Sequence, residues 1–452
     1  MSPTPETYPL NLPHSALVQS ATALAAQLTA AGHSAYFAGG CVRDALLGRP
    51  EKDIDIATSA TPDQVQAVLP RVTDLQGKTF GVVRVAHHDH VFEIATFRKD
   101  GDYKDGRRPD SVTYTDAAED AFRRDFTING LFYDPRSHQV IDYVQGRPDL
   151  EKRILRCIGR PQDRFREDQL RLFRAVRFAA ELDFTIESST WQALCEMAAT
   201  SRHLAPERVR DELVKCLTGS HPLKAFDLLD ASGLFLACIP EVEAMKGVAQ
   251  PPQFHPEGDV FTHVRLMIGH LQSPGLILAL SVLLHDIAKP DTYSVDPDGR
   301  IRFNGHETLG AAKAEKILQR LRFSNEIIDG VKACIANHMA FKDVPHMRVS
   351  TLKKFMARPH FDTELELHRI DCTCSHGLLD IHALLLEKLA SYSREEIKPK
   401  PLVNGNDLQK LGLPPGKKLG ALLGRLYDEQ LEGKLAGYEE ALARARELVA
   451  EF

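Results

Sequence analysis

No stretch of this 452-residue chain is apolar for long enough to span a bilayer. The first residues, MSPTPETYPLNLPHS, lack the basic start and the long apolar run of a secretory signal, so none is expected. Cysteines at metal-binding spacing are also missing. The eight are scattered, and the one tight pair, Cys372 and Cys374, is C-x-C and not C-x-x-C. Reduced thiols in a cytoplasm are the simplest reading. Positive charge is not in excess: a net charge of −6 argues against a protein that coats nucleic acid non-specifically. Internal repeats and low-complexity tracts are absent too. What is there, 43% hydrophobic and 26% charged residues, is the composition of an ordinary soluble globular protein. The length is too great for one core and implies roughly two to four domains.

Charge is not spread evenly. From Arg147 to Arg177, ten Lys or Arg stand against five Asp or Glu, making this the most basic segment of the chain. It suits a phosphate backbone, and equally a solvated helix face balanced by its acids. Secondary-structure signals change at about the same place. Residues 13–32 read as an alanine-rich amphipathic helix, YFAGG as a strand entering a turn, DALLG as helix and DIDIAT as strand. TPDQVQAVL reads as a helix capped at Thr61-Pro62. FGVVRVAHHDHVFEIATFR holds two alternating runs around His88 and Asp89, the pattern of a hairpin. KDGDYKDGRRPDSV is glycine-rich, charged and aperiodic, the pattern of a mobile loop. These elements make an α+β region whose sheet is not simply βαβ-wound. Beyond residue 150 helices dominate: 164–182, 189–199, 206–217, 222–232, 261–272 and most of 276–450. Gln250-Pro251-Pro252 and Lys398-Pro399-Lys400-Pro401 mark breaks. The predicted division is 1–145, 146–250, 251–397 and 398–452.

The stretch GGCVRDALLGRPEKDIDIAT, Gly39 to Thr58, carries the chemistry of the first region. Side chains two apart on a strand share a face, so Asp53 and Asp55 point one way while Ile54 and Ile56 point the other. Two carboxylates on one face make a place for divalent metal. The Gly-Gly turn just upstream lets backbone approach a phosphate closely. Together they suggest metal-assisted chemistry on a nucleoside triphosphate. A D-x-D on a surface strand is by itself usually no more than polar, and its neighbours decide. Downstream lie RRDFTINGLFYD, Arg123 to Asp134, and RFREDQLRLFRAVRFAAELDF, Arg164 to Phe184. On a continuous helix, Asp168 and Arg171 share a face that Arg174 extends. The plain reading of that pair is a surface ion pair worth about a few tenths of a kcal/mol.

Taken in order, these motifs resemble the bacterial class II nucleotidyltransferases, the CCA-adding tRNA nucleotidyltransferases and their relatives, the bacterial poly(A) polymerases. GGCVRD with DID resembles the family's catalytic motif, and FRKDGDYKDGRRPDSV its flexible loop. RRDFTINGL resembles the motif joining head to neck, with Gly130 where Ala is more usual. EDQLR (Glu167 to Arg171) resembles the nucleotide-selecting motif, and PERVRDEL (Pro206 to Leu213) the last neck motif. The resemblance implies a polymerase-β-like α+β head, followed by an all-α neck and further helical regions. It implies that Asp53 and Asp55 bind two Mg²⁺ ions, with Glu93 in VFEIATF either a third carboxylate or a plain exposed strand acid. Gly39, Gly40 and Arg43 would hold the triphosphate. Arg123 and Arg124 would contact phosphate, and Asn129 the sugar edge. Asp168 and Arg171 would select the base, with Arg174 beside them as a further nucleotide-binding residue. Cytosine and adenine each offer an amino donor beside a ring acceptor, which fits an Asp acceptor next to an Arg donor; uracil and guanine reverse the pattern. The implied activity is template-independent addition of C, C and A to the 3′ end of tRNA from CTP and ATP.

Eleven of the nineteen histidines fall between His255 and His382. HPEGDVFTH ends at His263, LALSVLLHDIAKPDT carries His285-Asp286, FNGHE gives His306, ANHM gives His338 and LHRIDCTCSHG gives Asp371. Imidazoles and carboxylates from several helices suit a first-row transition metal. The order H…HD…D resembles the HD phosphohydrolase superfamily. That resemblance implies a divalent transition metal on His263, His285, Asp286 and Asp371, with His306 and His338 for a second. It also implies hydrolysis of phosphoesters such as 2′,3′-cyclic phosphates or 2′-nucleotides. The plain alternative is a retained, metal-free domain. Other readings of the whole chain are an enzyme adding only A or only CC, a poly(A) polymerase, an HD phosphohydrolase with the head as an RNA-binding module, and a non-enzymatic RNA chaperone. The loop at 97–112 argues against the CC-only product, and the acidic balance against a polymerase gripping any RNA. Intact Asp53, Asp55, Asp168 and Arg171 argue against a head without catalysis. The expected partners are tRNA, CTP and ATP, in a cytoplasm and without a membrane; oligomeric state is left open.

Overall fold

The computed structural model describes residues 4–69, 81–101 and 111–450, and the backbone of 72–74. The chain folds as two compact units, Met1–Pro240 and Glu241–Phe452.

Alternation of apolar and polar residues builds the first unit's sheet. Its strands and those of a side ribbon are β1 (Glu6–Pro9), β2 (Ala35–Ala38), β3 (Asp55–Thr58), β4 (Val72–Asp74), β5 (Val82–His87), β6 (His90–Thr96), β7 (Arg98–Asp100), β8 (Val112–Tyr114), β9 (Leu131–Asp134) and β10 (Gln139–Asp142). Eight of them form one mixed sheet in the order β1-β10-β9-β2-β3-β6-β5-β4. Strands β3 and β6 pair in parallel, and their neighbours pair antiparallel. The expected hairpin is β5–β6, closed by the two residues His88 and Asp89, with His88 at φ 51°. Val83↔Ile94 and Val85↔Phe92 face the core while Arg84↔Glu93 faces out. The ribbon β7–β8 flanks the loop expected at 97–112; residues 102–110 of that loop lie outside the described residues.

Two expectations need correction. The strand predicted over DIDIAT begins only at Asp55, so Asp53 precedes it, although Ile54 and Ile56 are buried and the two aspartates exposed. The helix predicted over 164–182 is two helices, Pro161–Glu167 and Leu170–Glu181. Between them Asp168 is extended (φ −144°, ψ 104°), and its carboxylate accepts the Leu170 N–H at 3.1 Å. A short acid that bonds an N–H two residues ahead offers the backbone an alternative to the helix. Asp168 and Arg171 therefore do not share a helix face. Gly130, unusual at its position, has a local reason. A Cβ there would meet Val144 Cγ2 at 2.6 Å and Ile158 Cδ1 at 3.1 Å, so larger neighbours fill the space an alanine methyl needs.

The helical part of this unit continues through Ser188–Met197, Pro206–Thr218 and Pro222–Ala231. Leu170–Glu181 is its central helix: ten of its twelve residues are buried, Arg171 and Arg177 among them, so these charges must find partners.

The second unit is helical apart from a short ribbon, Ser294–Val295 with Ile301–Arg302. Helix Leu276–Leu284 is buried along Ala279–Leu284 and delivers His285 and Asp286 at its C-terminus. A separate apolar cluster including Leu408, Leu422, Leu426, Ala445 and Leu448 is closed by Lys417–Leu431 and Tyr438–Ala450. Among the described residues, no helix is long and apolar enough to cross a membrane.

Candidate functional site

A pocket of about 610 Å³ opens in the first unit. Its wall contains Gly39, Gly40, Arg43, Asp53 and Asp55 from the sheet end and the helix Gly40–Leu46. It also contains Arg123, Arg124 and Asn129 from the RRDFTING segment, and Asp168, Arg171 and Arg174 from the helical part. Of the residues expected to act in the head and neck, only Glu93 is not in this wall. Glu93 is exposed on β6 and ion-paired to Arg84 at 2.7 Å. Residues that the sequence reading did not assign also line the pocket: Asp44, Asp125, Phe178 and Arg208.

The local sequence explains the placement. Gly39 sits at φ 73°, which calls for glycine, and a Cβ there would also crowd Arg124 Nη1 at 3.0 Å. Arg43, buried, lays its guanidinium on the Asp44 carboxylate at 2.9 Å and donates from Nη1 to Asn129 Oδ1 at 2.7 Å. Asn129 Nδ2 donates to Asp125 Oδ1 at 3.1 Å, and Asp125 Oδ2 accepts from Arg174 at 2.6 and 2.8 Å. One hydrogen-bonded chain thus runs from Arg43 through Asn129 and Asp125 to Arg174. Burial alone would raise the Asp125 pKa, but the Arg174 charge and the Asn129 bond outweigh it and hold the carboxyl down at about 2. Arg123 and Arg124 share the buried Asp120, at 2.8 and 3.0 Å. There too burial is outweighed, by Arg124 and then Arg123, and the Asp120 carboxyl is held low.

Asp55 is perturbed the other way. Its surface faces the pocket, but the protein packed around it limits solvation, and that effect together with the charges of Asp53 and Glu93 pushes it up to about 6. Arg124 opposes the shift. A crowded pair of acids at a pocket wall, costly to ionise together, fits the binding of a divalent cation.

On the base-selecting side, Asp168 Oδ2 accepts from Arg208 Nη2 at 2.8 Å while its other oxygen takes the Leu170 N–H. Arg171 Nη1 donates to Glu167 Oε2 at 2.6 Å and Arg164 O at 3.0 Å, and its Nη2 to Arg123 O at 3.3 Å. The surface ion pair read between Asp168 and Arg171 is therefore replaced by two separately held groups. Arg208 lies forty positions after its partner. Its signal in the sequence is the PERVRDEL motif, which does not say which acid it meets.

In the second unit, six expected ligands converge. His263 Nε2 lies 3.1 Å from Asp371 Oδ1, His285 Nε2 3.1 Å from Asp286 Oδ2, and His306 Nε2 3.1 Å from His338 Nε2 and 3.6 Å from Asp286 Oδ1. All but the half-buried Asp371 are buried. The Nδ1 atoms of His285, His306 and His338 lie 3.0, 2.7 and 2.6 Å from the carbonyls of Val282, Phe303 and Ile335. His263 Nδ1 lies 2.6 Å from Glu257 Oε1. With Nδ1–H donated to those carbonyls, the Nε2 atoms of His285, His306 and His338 are turned inward with their lone pairs available. His263 Nε2, His285 Nε2 and Asp286 Oδ1 are buried without a hydrogen bond, whereas Asp286 Oδ2 is ion-paired to Lys289. Ligand atoms this close, with no hydrogen bond to hold them together, fit a shared cation. Burial opposes charge on His263, but Asp371 and Glu257 lift it to about 9. Burial, then the charge of His285, presses His338 down to about 4. Glu257, which also contacts His255 at 2.9 Å, and Lys289, 2.8 Å from Asp286 Oδ2, were missed in the sequence. The HPE of HPEGDVFTH was the available signal for Glu257.

Comparison with known proteins covers both units. Residues 35–156 match the Poly A polymerase head domain, 183–246 the Probable RNA and SrmB-binding site of polymerase A, and 307–445 a tRNA nucleotidyltransferase domain 2. A CCA-adding enzyme of Lactiplantibacillus plantarum is 33% identical over 440 residues, 96% of this chain and 97% of that protein. One from Geobacillus thermodenitrificans is 45% identical over 217 residues, 48% of this chain and 53% of its own length. The crystal structure of the Bacillus stearothermophilus CCA-adding enzyme in complex with CTP matches with a TM-score of 0.69 at 27% identity, over 97% of this chain and all of that one. Similarity that runs along nearly the whole of both chains settles the family: this chain belongs to the CCA-adding enzymes, which are nucleotidyltransferases.

Proposed function

We propose that the chain adds C, C and A to the 3′ end of tRNA in the cytoplasm, taking CTP and ATP without a template. The observation that carries this reading is the single pocket in which paired carboxylates, a set of arginines and the Asp168–Arg171 pair face one volume. Its division of labour follows the head at 1–145, the neck at 146–250, an HD region at 251–397 and a helical end at 398–452. Asp53 and Asp55 hold Mg²⁺, which when bound lowers the pKa of the RNA 3′-hydroxyl and offsets the triphosphate charge. Arg43, Arg123 and Arg124 take phosphate oxygens, beside the backbone that Gly39 and Gly40 allow to approach. Asn129 meets the sugar edge. Arg43, Arg123 and Arg124 are already fixed by Asn129 and Asp120, so little reorganisation is left for the reaction. The RNA hydroxyl attacks the α-phosphorus directly, pyrophosphate leaves, and no protein nucleophile is needed.

Base choice falls to Asp168 and Arg171. Each Asp168 oxygen already accepts one bond and keeps a lone pair for the amino group of cytosine or adenine. Arg171 donates to the ring acceptor beside it. Uracil or guanine would set a carbonyl against Asp168 and leave enclosed groups unpaired, at about 1–3 kcal/mol each. The test uses tRNA transcripts ending before CCA, before CA and before A, with each nucleoside triphosphate in turn. All three should be completed with CTP and ATP alone. Extension of only the last would make the chain an A-adding enzyme, and an untemplated run of A a poly(A) polymerase.

A second activity is assigned to the histidine cluster: hydrolysis of phosphoesters such as 2′,3′-cyclic phosphates. The inward-turned Nε2 atoms favour it. A divalent transition metal on His263, His285, Asp286 and Asp371, with a second on His306 and His338, would supply an activated water. Metal analysis of the purified chain beside His285→Ala tests this, with metal lost in the variant as the expected result and none lost as the contrary one.

A further inference from the structure

One ring in the wall of the nucleotide pocket gathers three cations. Phe178 lies in the buried helix Leu170–Glu181 and reaches the pocket. The guanidinium carbon of Arg177 is 3.8 Å from its ring centroid, and those of Arg43 and Arg174 are each 5.2 Å away. Arg174 and Arg177 stand on its own helix, whereas Arg43 comes from Gly40–Leu46 beside the sheet. Phe126, from the RRDFTING segment, meets the ring edge-on at 5.9 Å. Each arginine also has its own carboxylate: Asp44 at 2.9 Å for Arg43, Asp125 at 2.6 Å for Arg174, and Glu212 at 2.5 Å for Arg177. These acids neutralise the arginines one at a time. Asn129 and Asp125 link Arg43 to Arg174 through hydrogen bonds, and the ring is their second link.

The chemistry of that link is specific. A guanidinium is drawn to the negative face of an aromatic ring, more strongly where water is scarce. An aliphatic side chain of similar volume would fill the space without attracting any of the three. Like charges gathered on one side of a pocket repel, and a π face offsets part of that repulsion without adding an acid that would repel a triphosphate.

We infer that Phe178 is a positioning residue for nucleotidyl transfer, its π face holding Arg43 and Arg174 in one arrangement so that a single ring sets both the triphosphate grip and the base pocket. This rests on the assignment of the pocket to CTP and ATP made above. Phe178 touches none of the reacting atoms in that assignment, so its loss acts on binding more than on the chemical step.

The test replaces Phe178 in the full chain by 4-fluoro-, 3,5-difluoro- and 3,4,5-trifluorophenylalanine. Size changes little along this series while the negative face of the ring is progressively withdrawn. The KM for CTP and for ATP should climb stepwise, to about tenfold, while kcat stays within about threefold and the melting temperature is steady. Phe178→Tyr should keep KM near that of the unaltered chain, and Phe178→Leu should match the trifluoro variant. A flat KM across the fluorinated series, with loss confined to Phe178→Leu and tracking its melting temperature, would show that the ring only fills space. An unaltered chain that extends no tRNA would instead overturn the assignment of the pocket, and this inference with it.

Discussion

The pocket of the first unit and the histidine cluster of the second both gather acids and bases, and they leave them in opposite states. In the pocket, arginines are tied to carboxylates before any substrate arrives: Arg43 to Asp44, Arg123 and Arg124 to Asp120, Arg174 to Asp125, and Arg208 to Asp168. Asp53 and Asp55 stay exposed to the opening. In the cluster, His263, His285 and Asp286 are buried and leave inward-facing atoms without hydrogen bonds. The contrast fits what each is proposed to hold. A large anion that comes and goes needs donors fixed in advance and an open approach to the acids that bind its metal. A small cation kept in place needs lone pairs left unspent in a dry setting.

The two sites are expected to fail separately, so no single substitution should disable both. Asp53→Asn or Asp55→Asn should cut nucleotide addition by about a thousandfold or more while transition-metal content is kept. His285→Ala should remove the transition metal and leave nucleotide addition within about twofold. Parallel metal analysis and primer extension on the three proteins check both halves.

A smaller effect separates the two jobs inside the pocket. Removing Arg208 takes from Asp168 its ion-pair partner and leaves it only the Leu170 N–H. Arg208→Ala should lower the preference for CTP over UTP by about tenfold, read as the ratio of kcat/KM values, with a lesser loss in CTP transfer itself. Equal losses for both nucleotides would mean that Arg208 supports the fold and not the choice.

A last effect concerns stability and leaves both sites intact. Asp125 titrates at about 2 in the fold, below the ordinary value of 3.8. A depressed carboxyl contributes stability that is complete above the unfolded value and is lost as pH falls through the folded one. Here that contribution is about 2 kcal/mol, present above roughly pH 4 and fading toward pH 2. Unfolding free energies of the unaltered chain and Asp125→Asn should therefore differ most near neutrality and converge in acid. A gap that stays constant from pH 6 to pH 2.5 would place the stabilisation elsewhere.

Local sequence carried the elements whose physics is local. Val83, Val85, Phe92 and Ile94 alternate with polar residues and predict the hairpin, and Thr61-Pro62 predicts the start of its helix, which the structure closes with a Thr61–Gln64 capping box. Ile54 and Ile56 predict which way Asp53 and Asp55 face, although only Asp55 is within the strand. The misses are side chains whose partners are not periodic. Apolar spacing around Asp168 reads as unbroken helix because the spacing cannot register a carboxylate bonding an N–H two residues on. The match of Arg208 to Asp168, and of Glu257 to His263, needs the folded chain. Glu93 keeps both of its readings: its strand lies beside that of Asp55, one step before the Ile56↔Ile94 register, and its charge acts on Asp55, while its side chain is ion-paired to Arg84 on the exposed face.

In the proposed function Asp53 and Asp55 serve the transfer without choosing the nucleotide, and the choice rests with Asp168 and Arg171. This division is tested most directly by offering CTP, ATP, UTP and GTP separately to the unaltered chain and to Asp168→Ala, on transcripts lacking CCA. The variant should gain UTP and GTP use relative to CTP and ATP by about tenfold or more while its CTP transfer slows less than that. An unchanged order of preference, with all four rates reduced alike, would contradict it.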